Sequence, residues 1–322
     1  MPPISVSQTA LATSEFALEQ LLFTPATPDL DAVRVIYAFP NTYSVGITSL
    51  GYQVIWSLLA SRRDVAVARL FTDLAEPLPR DPELVGFSLS WELDYVHILD
   101  LLERHGIPTR AEERGEADPL VFGGGPVLTA NPEPFAEFFD LILLGDGEGL
   151  VEQMIQTYRQ VRRGSRAEKL QALAQVPGIY VPSLYEVHYR GPDGPVEKVI
   201  PKLDGIPTSI RKHTFRGNTL SVSTVVTPKA AWESIYLVEV VRSCPEMCRF
   251  CLASYLTLPF RAADVEGHLI PAVERGLQVT QRIGLLGASV TQHPQFEQLL
   301  EYLAQDRFEQ VRLSLASVRT GT

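Results

Sequence analysis

The stretch "LVFGGGPVLTANPEPFAEFFDLILLGDGEG", from Leu120 to Gly149, contains two short apolar runs that each end in glycines, with a longer segment between them. The same alternation extends back to Val33 through "VRVIYAF", "VAVARLF" and "LVGFSLS", and an amphipathic helix is predicted over Leu50–Ala60. Runs of apolar, β-branched residues between helices are typical of parallel strands covered on both faces. Residues 32–163 therefore predict a doubly wound α/β domain of about five strands, flavodoxin- or Rossmann-like, whose last helix ends at Arg163.

A second α/β unit is predicted over residues 234–322. Strands are expected at "IYLVEVVRS", "RIGLLGA" and "VRLSLAS", with helices from Ala262 to about Val279 and from Pro294 to Ala304. Three βα units cannot close a barrel, and an open three-stranded sheet would leave an exposed edge strand. We therefore expect that the chain is a fragment of a longer protein, or that another domain or subunit completes the sheet.

Two further segments complete the predicted organisation. Residues 1–31 form an N-terminal helical segment, because Ser14–Phe23 carries apolar residues at helical spacing. Residues 164–233 are rich in proline and glycine, and "RGPDGP" at 190–195 is strong turn chemistry between "YEVHY" and "VEKVI". This interval is interpreted as a connector with a hairpin.

Composition and charge exclude several classes of protein. With 45% hydrophobic and 20% charged residues, the sequence has the composition of a globular protein. The formal charge of -10 gives no electrostatic reason to expect a nucleic-acid partner, and only "RKHTFR" at 211–216 keeps that question open. No apolar run approaches the roughly 20 residues that cross a bilayer, and the N-terminus does not resemble a signal peptide. We predict a cytoplasmic protein without a membrane partner.

All three cysteines of the chain, Cys244, Cys248 and Cys251, lie within "VRSCPEMCRFCLAS". An odd number of clustered cysteines argues against a disulfide framework and favours a metal or redox site. Three thiolates would leave one iron of a [4Fe–4S] cluster open to another ligand. A zinc site is the alternative, but the nearest histidines, His213 and His268, lie 31 residues before and 17 residues after the cysteines.

The stretch "EVVRSCPEMCRFC", with its Cys-x3-Cys-x2-Cys spacing and Phe250 before the last cysteine, resembles the signature of the radical S-adenosylmethionine family. The resemblance implies that the three cysteines ligate a [4Fe–4S] cluster and that S-adenosylmethionine binds the fourth iron. It also implies a partial (β/α) TIM barrel and a reductive cleavage that yields a 5′-deoxyadenosyl radical. A reductant such as flavodoxin or ferredoxin is the partner expected from the family.

The resemblance also suggests which residues contact S-adenosylmethionine, because they stand at the matching places in the motif and after the strands. Phe250 belongs to the motif itself. Many family members carry a Gly-Gly-Glu-Pro-like run after the second strand, and this chain has Gly287, Ala288 and Ser289 there without the acid. Ser317 and Arg319 follow the third strand at the same predicted edge. Glu239 and Arg242, which flank the end of the first strand, are further candidates.

The glycine loops of residues 32–163 resemble those of the cobalamin (B12)-binding-type domain that precedes many radical S-adenosylmethionine cores. The implied cofactor contacts are Gly124 and Gly125 in one loop and Gly145, Gly147 and Glu148 in the other. The sequence departs from the family at "PNTYSVG", which lacks the histidine of Asp-x-His-x-x-Gly. Two alternatives remain open: cobalamin binds without a histidine on its lower face, or the domain keeps the fold without the cofactor.

The resulting hypothesis is a radical S-adenosylmethionine enzyme, or part of one, acting on a substrate that the sequence leaves open and using cobalamin if the first alternative holds. No catalytic residue is assigned. A methylthiotransferase is disfavoured, because those relatives carry extra cysteines and this chain has none before Cys244. A non-catalytic zinc-binding scaffold is the competing class. We expect weak or no turnover from residues 1–322 alone, since the later strands of a barrel supply much of the cofactor and substrate surface.

Overall fold

A computed structural model describes residues 15–192 and 194–319 of the chain. Its larger sheet has six strands in the order β3-β2-β4-β5-β6-β7. Strands β2 to β6 are parallel and β7 is antiparallel to β6. These strands are β2 (Val33–Ala38), β3 (Val65–Leu70), β4 (Leu84–Ser88), β5 (Leu120–Gly124), β6 (Leu141–Leu143) and β7 (Ile179–Tyr180), while β1 (Gln20–Leu21) lies outside this sheet.

The order of the five parallel strands is that of flavodoxin, and the chain reverses direction across the sheet between β2 and β4. The crossovers from β2 to β3 and from β4 to β5 run in opposite directions, so their right-handed helices cover opposite faces. The helices of this domain are α1 (Tyr43–Thr48), α2 (Leu50–Ala60), α3 (Tyr95–Arg104), α4 (Pro126–Ala130), α5 (Leu150–Val161) and α6 (Arg166–Leu173). Ligands of such folds bind at this switch point.

Local sequence explains where two of these helices begin. The hydroxyl of Ser49 accepts a hydrogen bond from the backbone N–H of Tyr52, which caps α2. Ser165 and Glu168 form a complete capping box at the start of α6. The helix predicted over Leu50–Ala60 is therefore confirmed with its bounds.

The second sheet has three parallel strands in the order β11-β14-β15. Its central strand is buried on both faces over Ile283–Leu285, whereas β15 is exposed along its whole length. Next to this sheet, β12 and β13 form a small antiparallel pair. The elements are β11 (Tyr236–Glu239), β12 (Val241–Arg242), α7 (Leu252–Leu256), β13 (Arg261–Ala262), α8 (Ile270–Leu277), β14 (Arg282–Leu286), α9 (Phe296–Leu303) and β15 (Arg312–Leu315). The predicted α/β fold class is confirmed.

Between the sheets, β8 (Tyr185–Tyr189) and β9 (Val196–Pro201) form the predicted hairpin. The following segment joins the two domains. Its strand β10 (Val225–Val226) pairs antiparallel with β1, while Ser223 exchanges hydrogen bonds with Leu237 of β11. The buried side chain of Gln53 on α2 accepts hydrogen bonds from the N–H groups of Thr224 and Val225 at 2.9 and 3.1 Å. The connector is therefore hydrogen-bonded to both domains.

Three local predictions need correction. The helix expected over Ser14–Phe23 is wrong at its end, because Gln20–Leu21 is a strand that pairs with the connector; Ser14 and the residues before it lie outside the described part. The connector predicted from residue 164 contains α6 and β7, and β7 extends the first sheet. The helix expected from Ala262 begins later, since Ala262 pairs in β13 and Val265–Leu269 forms a π-turn before α8.

Every helix in residues 15–192 and 194–319 is too short or too polar to span a bilayer.

Candidate functional site

The cysteine loop, residues 243–251, leads from the end of β12 to the start of α7. Cys244, Cys248 and Cys251 are free thiols and are all partly exposed. Two residues of the loop have positive φ without being glycine, Ser243 at 72° and Met247 at 50°. Such backbone costs of order 1–3 kcal/mol per residue and is often found at functional sites. The loop is thus held in a strained conformation that keeps its three thiols accessible.

Hydrogen bonds hold this conformation. The buried hydroxyl of Ser243 donates to the carbonyl of Ser254 at 2.8 Å, and the N–H of Cys251 donates to the carbonyl of Cys248 at 3.0 Å. Hydrogen bonds from the backbone N–H and the hydroxyl of Ser254 lower the pKa of the Cys251 thiol. A lowered pKa favours the thiolate, which is the form that binds iron.

The donor set fits an iron–sulfur cluster. Among the residues that the structure describes, no three His, Cys, Asp or Glu side chains are grouped to hold a single metal ion. A four-iron cluster has a different requirement, because each cysteine binds its own iron. Cys244, Cys248 and Cys251 offer three free, partly exposed thiols within eight positions, one for each of three irons.

The residues proposed for S-adenosylmethionine lie at the carboxyl edge of the second sheet, near the cysteine loop. Gly287 is packed against β12, since a Cβ there would come within 2.5 Å of Val241. Ala288 is exposed and Ser289 is buried, and the carbonyl of Ser317 accepts a hydrogen bond from the N–H of Val290.

Of the remaining two candidates, Phe250 belongs to the cysteine loop and Arg319 follows β15. The side chain of Phe250 is 92% exposed. Arg319 forms an ion pair with Glu246, which also accepts a hydrogen bond from Gln292 at 2.5 Å. Gln292 in turn accepts a hydrogen bond from the Cys244 thiol at 3.5 Å. The ends of β14 and β15 are thereby connected to the cysteine loop, and Gln292 is a neighbour of Cys244 that the sequence did not reveal.

A cavity of about 370 Å³ lies between the carboxyl edge of the first sheet and the start of the second domain. Most of its wall is apolar, and such cavities of a few hundred Å³ with a few polar groups are typical of ligand sites. The predicted residues Gly124, Gly125, Gly145, Gly147 and Glu148 all line it. Additional lining residues that the sequence did not single out include Tyr37, Ile55, Phe87, Phe122, Leu143 and Ser221.

The lining glycines are needed for close packing at this edge. Gly125 and Gly145 have φ values of 116° and 99°, which side chains rarely adopt. A Cβ on Gly145 would come within 2.1 Å of the carbonyl oxygen of His213, and one on Gly147 within 2.5 Å of Ile55. By contrast, Gly124 has ordinary backbone and room for a side chain, since its nearest contact would be Leu143 at 3.7 Å.

An ion-pair network spans the two domains and consists of Asp146, Glu148, Glu239, Arg242 and Arg261. All of its members except Arg261 line the cavity. Burial alone would raise the pKa of Asp146, but the hydrogen bond from Arg261 and the charge of Arg242 lower it. Burial alone would lower the pKa of Arg242, but its hydrogen bonds and charge interactions with Glu239 and Glu148 raise it. Asp146 and Arg242 are therefore ionised near neutral pH.

The sequence pointed to Glu148, Glu239 and Arg242 but not to Asp146 or Arg261. The acidic turn "GDGEG" and the two arginines could have suggested opposite charges, but their pairing depends on how the domains pack. Arg261 donates to Asp146 at 2.5 Å and also to the carbonyl of Phe215 at 2.7 Å. It thus connects three segments that are far apart in sequence.

The basic stretch at 211–216 contributes to the same region. The N–H of His213 donates to the carbonyl of Leu144 at 2.7 Å, and the carbonyl of His213 accepts from the N–H of Asp146 at 3.0 Å. The amine of Lys212 donates to the carbonyl of Leu258 at 2.6 Å. Lys212 and His213 are therefore engaged within the chain.

Asp94 is a buried carboxylate near the switch point of the first sheet. One oxygen accepts a hydrogen bond from Asn41 at 3.0 Å, and the other has no partner among the described residues. Burial raises the pKa of Asp94, and the hydrogen bond from Asn41 together with the charge of His97 opposes this rise. Buried carboxylate oxygens without a hydrogen-bond partner are uncommon in folded proteins.

Comparison with known proteins supports the predicted family. Residues 75–182 match the family model described as "Radical SAM proteins, N-terminal". The fold matches the solved structure of the cobalamin-dependent S-adenosylmethionine radical enzyme OxsB with aqua-cobalamin and S-adenosylmethionine bound, with a TM-score of 0.51. The resemblance to the radical S-adenosylmethionine family is confirmed. The match covers 85% of this chain and 37% of OxsB at 15% identity, so this likeness concerns the fold.

Two further matches agree with this result. OxsB with aqua-cobalamin alone gives a TM-score of 0.51 at 16% identity, over 85% of this chain and 38% of that one. Uncharacterized protein MJ0966 of Methanocaldococcus jannaschii is 23% identical over 295 residues, which cover 90% of this chain and 56% of that protein. The chain thus spans little more than half the length of this relative and less than half of OxsB.

Proposed function

We propose that this chain carries the cofactor-binding part of a radical S-adenosylmethionine enzyme. In this proposal Cys244, Cys248 and Cys251 each hold one iron of a [4Fe–4S] cluster, and S-adenosylmethionine binds the fourth iron. The observation that supports it most is the place of the cysteine loop. Its three free thiols follow the first strand of a parallel sheet, and the loop begins directly after Arg242, which lines the cavity at the switch point of a flavodoxin-like domain. Ligands of α/β proteins bind at such carboxyl edges.

The cluster, when bound, would supply the electron that cleaves S-adenosylmethionine to a carbon-centred radical. The residues of the chain would position the cofactors and keep water away from them. Aromatic and aliphatic side chains such as Phe87, Phe122 and Leu143 form most of the cavity wall, which favours a dry site. Members of the family receive this electron from a small redox protein. We propose flavodoxin or ferredoxin as the partner that supplies it here.

Metal analysis of the full chain, purified without oxygen and reconstituted with iron and sulfide, tests the cluster. We expect about four iron and four sulfide per chain, with the absorption band of a [4Fe–4S] cluster. About one zinc per chain, with no iron or sulfide, would instead support the zinc-binding scaffold and refute the proposal.

We further propose that the first domain holds cobalamin at its carboxyl edge. The glycine loops that line the cavity support this. The cavity of about 370 Å³ can hold only part of so large a molecule.

Leucine at position 124 tests this part of the proposal. Gly124→Leu should weaken the binding of hydroxocobalamin at least about tenfold, because the new side chain occupies the cavity wall where Gly124 leaves room. Spectrophotometric titration of the full chain measures the affinity. Gly115→Leu is a matched control, since Gly115 also has space for a Cβ but does not line the cavity. Equal affinity of the wild type and Gly124→Leu, or no binding by the wild type, would contradict the assignment.

A further inference from the structure

The guanidinium of Arg242 joins both domains and the connector. It donates to Glu148 of the first domain at 2.8 and 3.3 Å, and it lies 3.2 Å from Asp146. In its own domain it donates to Glu239 at 2.8 and 2.6 Å. It also donates to the hydroxyl of Ser221, a residue of the connector, at 3.0 Å. These five hydrogen bonds come from Nε, Nη1 and Nη2 of the guanidinium. Each of the three guanidinium nitrogens of Arg242 therefore donates to a group of the protein.

Arg242 lies directly before the cysteine loop in the sequence. Arg242 is the last residue of β12 and precedes Cys244 by two positions. Arg242 also lines the cavity, and so do its partners Glu148 and Glu239. One side chain thus connects the wall of the cavity to the beginning of the cysteine loop.

The network is well shielded from water. The side chains of Arg242, Glu148, Glu239 and Asp146 are 9–18% exposed. Ion pairs at such low exposure are screened little by salt, and removing one partner leaves charges that are poorly solvated. A planar guanidinium can hold several carboxylates in one fixed geometry, which an ammonium group cannot do.

We propose that Arg242 is a positioning residue, which holds the cysteine loop at a fixed place relative to the cavity. This inference rests on the proposed function, because it states that Arg242 fixes the distance between the cluster and the ligand in the cavity. Glu148 takes part from the first domain, although it is 94 residues away in sequence. Loosening either end of the contact should therefore release the same loop.

Hydrogen exchange of the full chain without any cofactor tests the inference. Arg242→Lys should accelerate amide exchange in peptides covering residues 243–257 at least about tenfold. Glu148→Gln should accelerate exchange in the same peptides, since it weakens the contact from the other domain. Arg69→Lys is the control: it alters a buried arginine remote from the cavity and should leave residues 243–257 unchanged. Unchanged exchange in either the Arg242 or the Glu148 variant would overturn the inference.

A second measurement distinguishes positioning from general stability. In protein loaded with the reduced cluster and cob(II)alamin, pulsed electron paramagnetic resonance gives the distribution of distances between the two spins. We expect a narrow distribution in the wild type and a broader one in Arg242→Lys at the same iron content. The same narrow distribution in both proteins would contradict the inference. Failure of the wild type to bind the cofactors would refute the proposed function, while the exchange experiment would still decide the role of Arg242.

Discussion

Alanine in place of Cys248 should leave the chain folded and remove most of its iron. Cys248 is a partly exposed loop residue, so its loss creates no large cavity in either core. Without its thiolate one iron has no protein ligand, and we expect the iron content after reconstitution to fall at least about tenfold together with the cluster absorption band. Iron analysis and the absorption spectrum measure this.

Arg249→Gln provides the control for this prediction. Arg249 is the exposed neighbour of Cys248 and supplies no thiolate, so its variant should keep the iron content of the wild type. If Cys248→Ala retained the full cluster, Cys248 would not be a ligand and the assignment of the three cysteines would be wrong.

Methionine in place of Arg69 should destabilise the first domain by about 3–5 kcal/mol. Arg69 is 2% exposed and pairs with Glu19 and Glu76 at 2.7 Å each. Its guanidinium also lies over the rings of Phe16 and Trp56, at 4.6 and 3.9 Å from their centroids. Removing the arginine leaves carboxylates without a partner next to the core, and urea unfolding measures the loss of free energy.

A second substitution checks the cause of that loss. Arg69→Met combined with Glu76→Gln should recover part of the stability, because one unpaired charge is then neutral. Arg307→Met should change the free energy of unfolding far less, since the Arg307–Glu274 pair is exposed. Equal effects at Arg69 and Arg307 would show that the buried network does not stabilise the domain.

The parts of the fold predicted from the sequence are those that local pattern determines. The apolar runs identified the parallel strands, and the amphipathic stretch at Leu50–Ala60 identified its helix to the residue. Strand β1 was missed because its partner, β10, is about 200 residues away and the local apolar spacing suits a helix as well. Strand β7 was missed because a strand of two residues is too short to show a recognisable alternation of apolar and polar residues.

The candidate site divides in the same way. The three cysteines and the glycine loops are recognisable by spacing, so the sequence identified them. The cavity and the contact between Asp146 and Arg261 depend on how two domains pack, and no local pattern records that packing. Ser221 donates a hydrogen bond to Glu148 at 3.1 Å. It lies in the segment that the sequence predicted only as a connector, so it was not identified as a candidate site residue.

The pairing of β1 with β10 also bears on the order in which the protein takes shape during synthesis. Leu21 leaves the ribosome about 200 residues before Val225, its partner in the strand pair. At about 5–20 residues per second, this delay is roughly 10–40 s. The sheet of the first domain can form during that interval, but strand β1 must wait for the connector. We therefore expect the attachment of the N-terminal strand to be a late event in biogenesis, and one that a nascent chain stalled before residue 225 would lack.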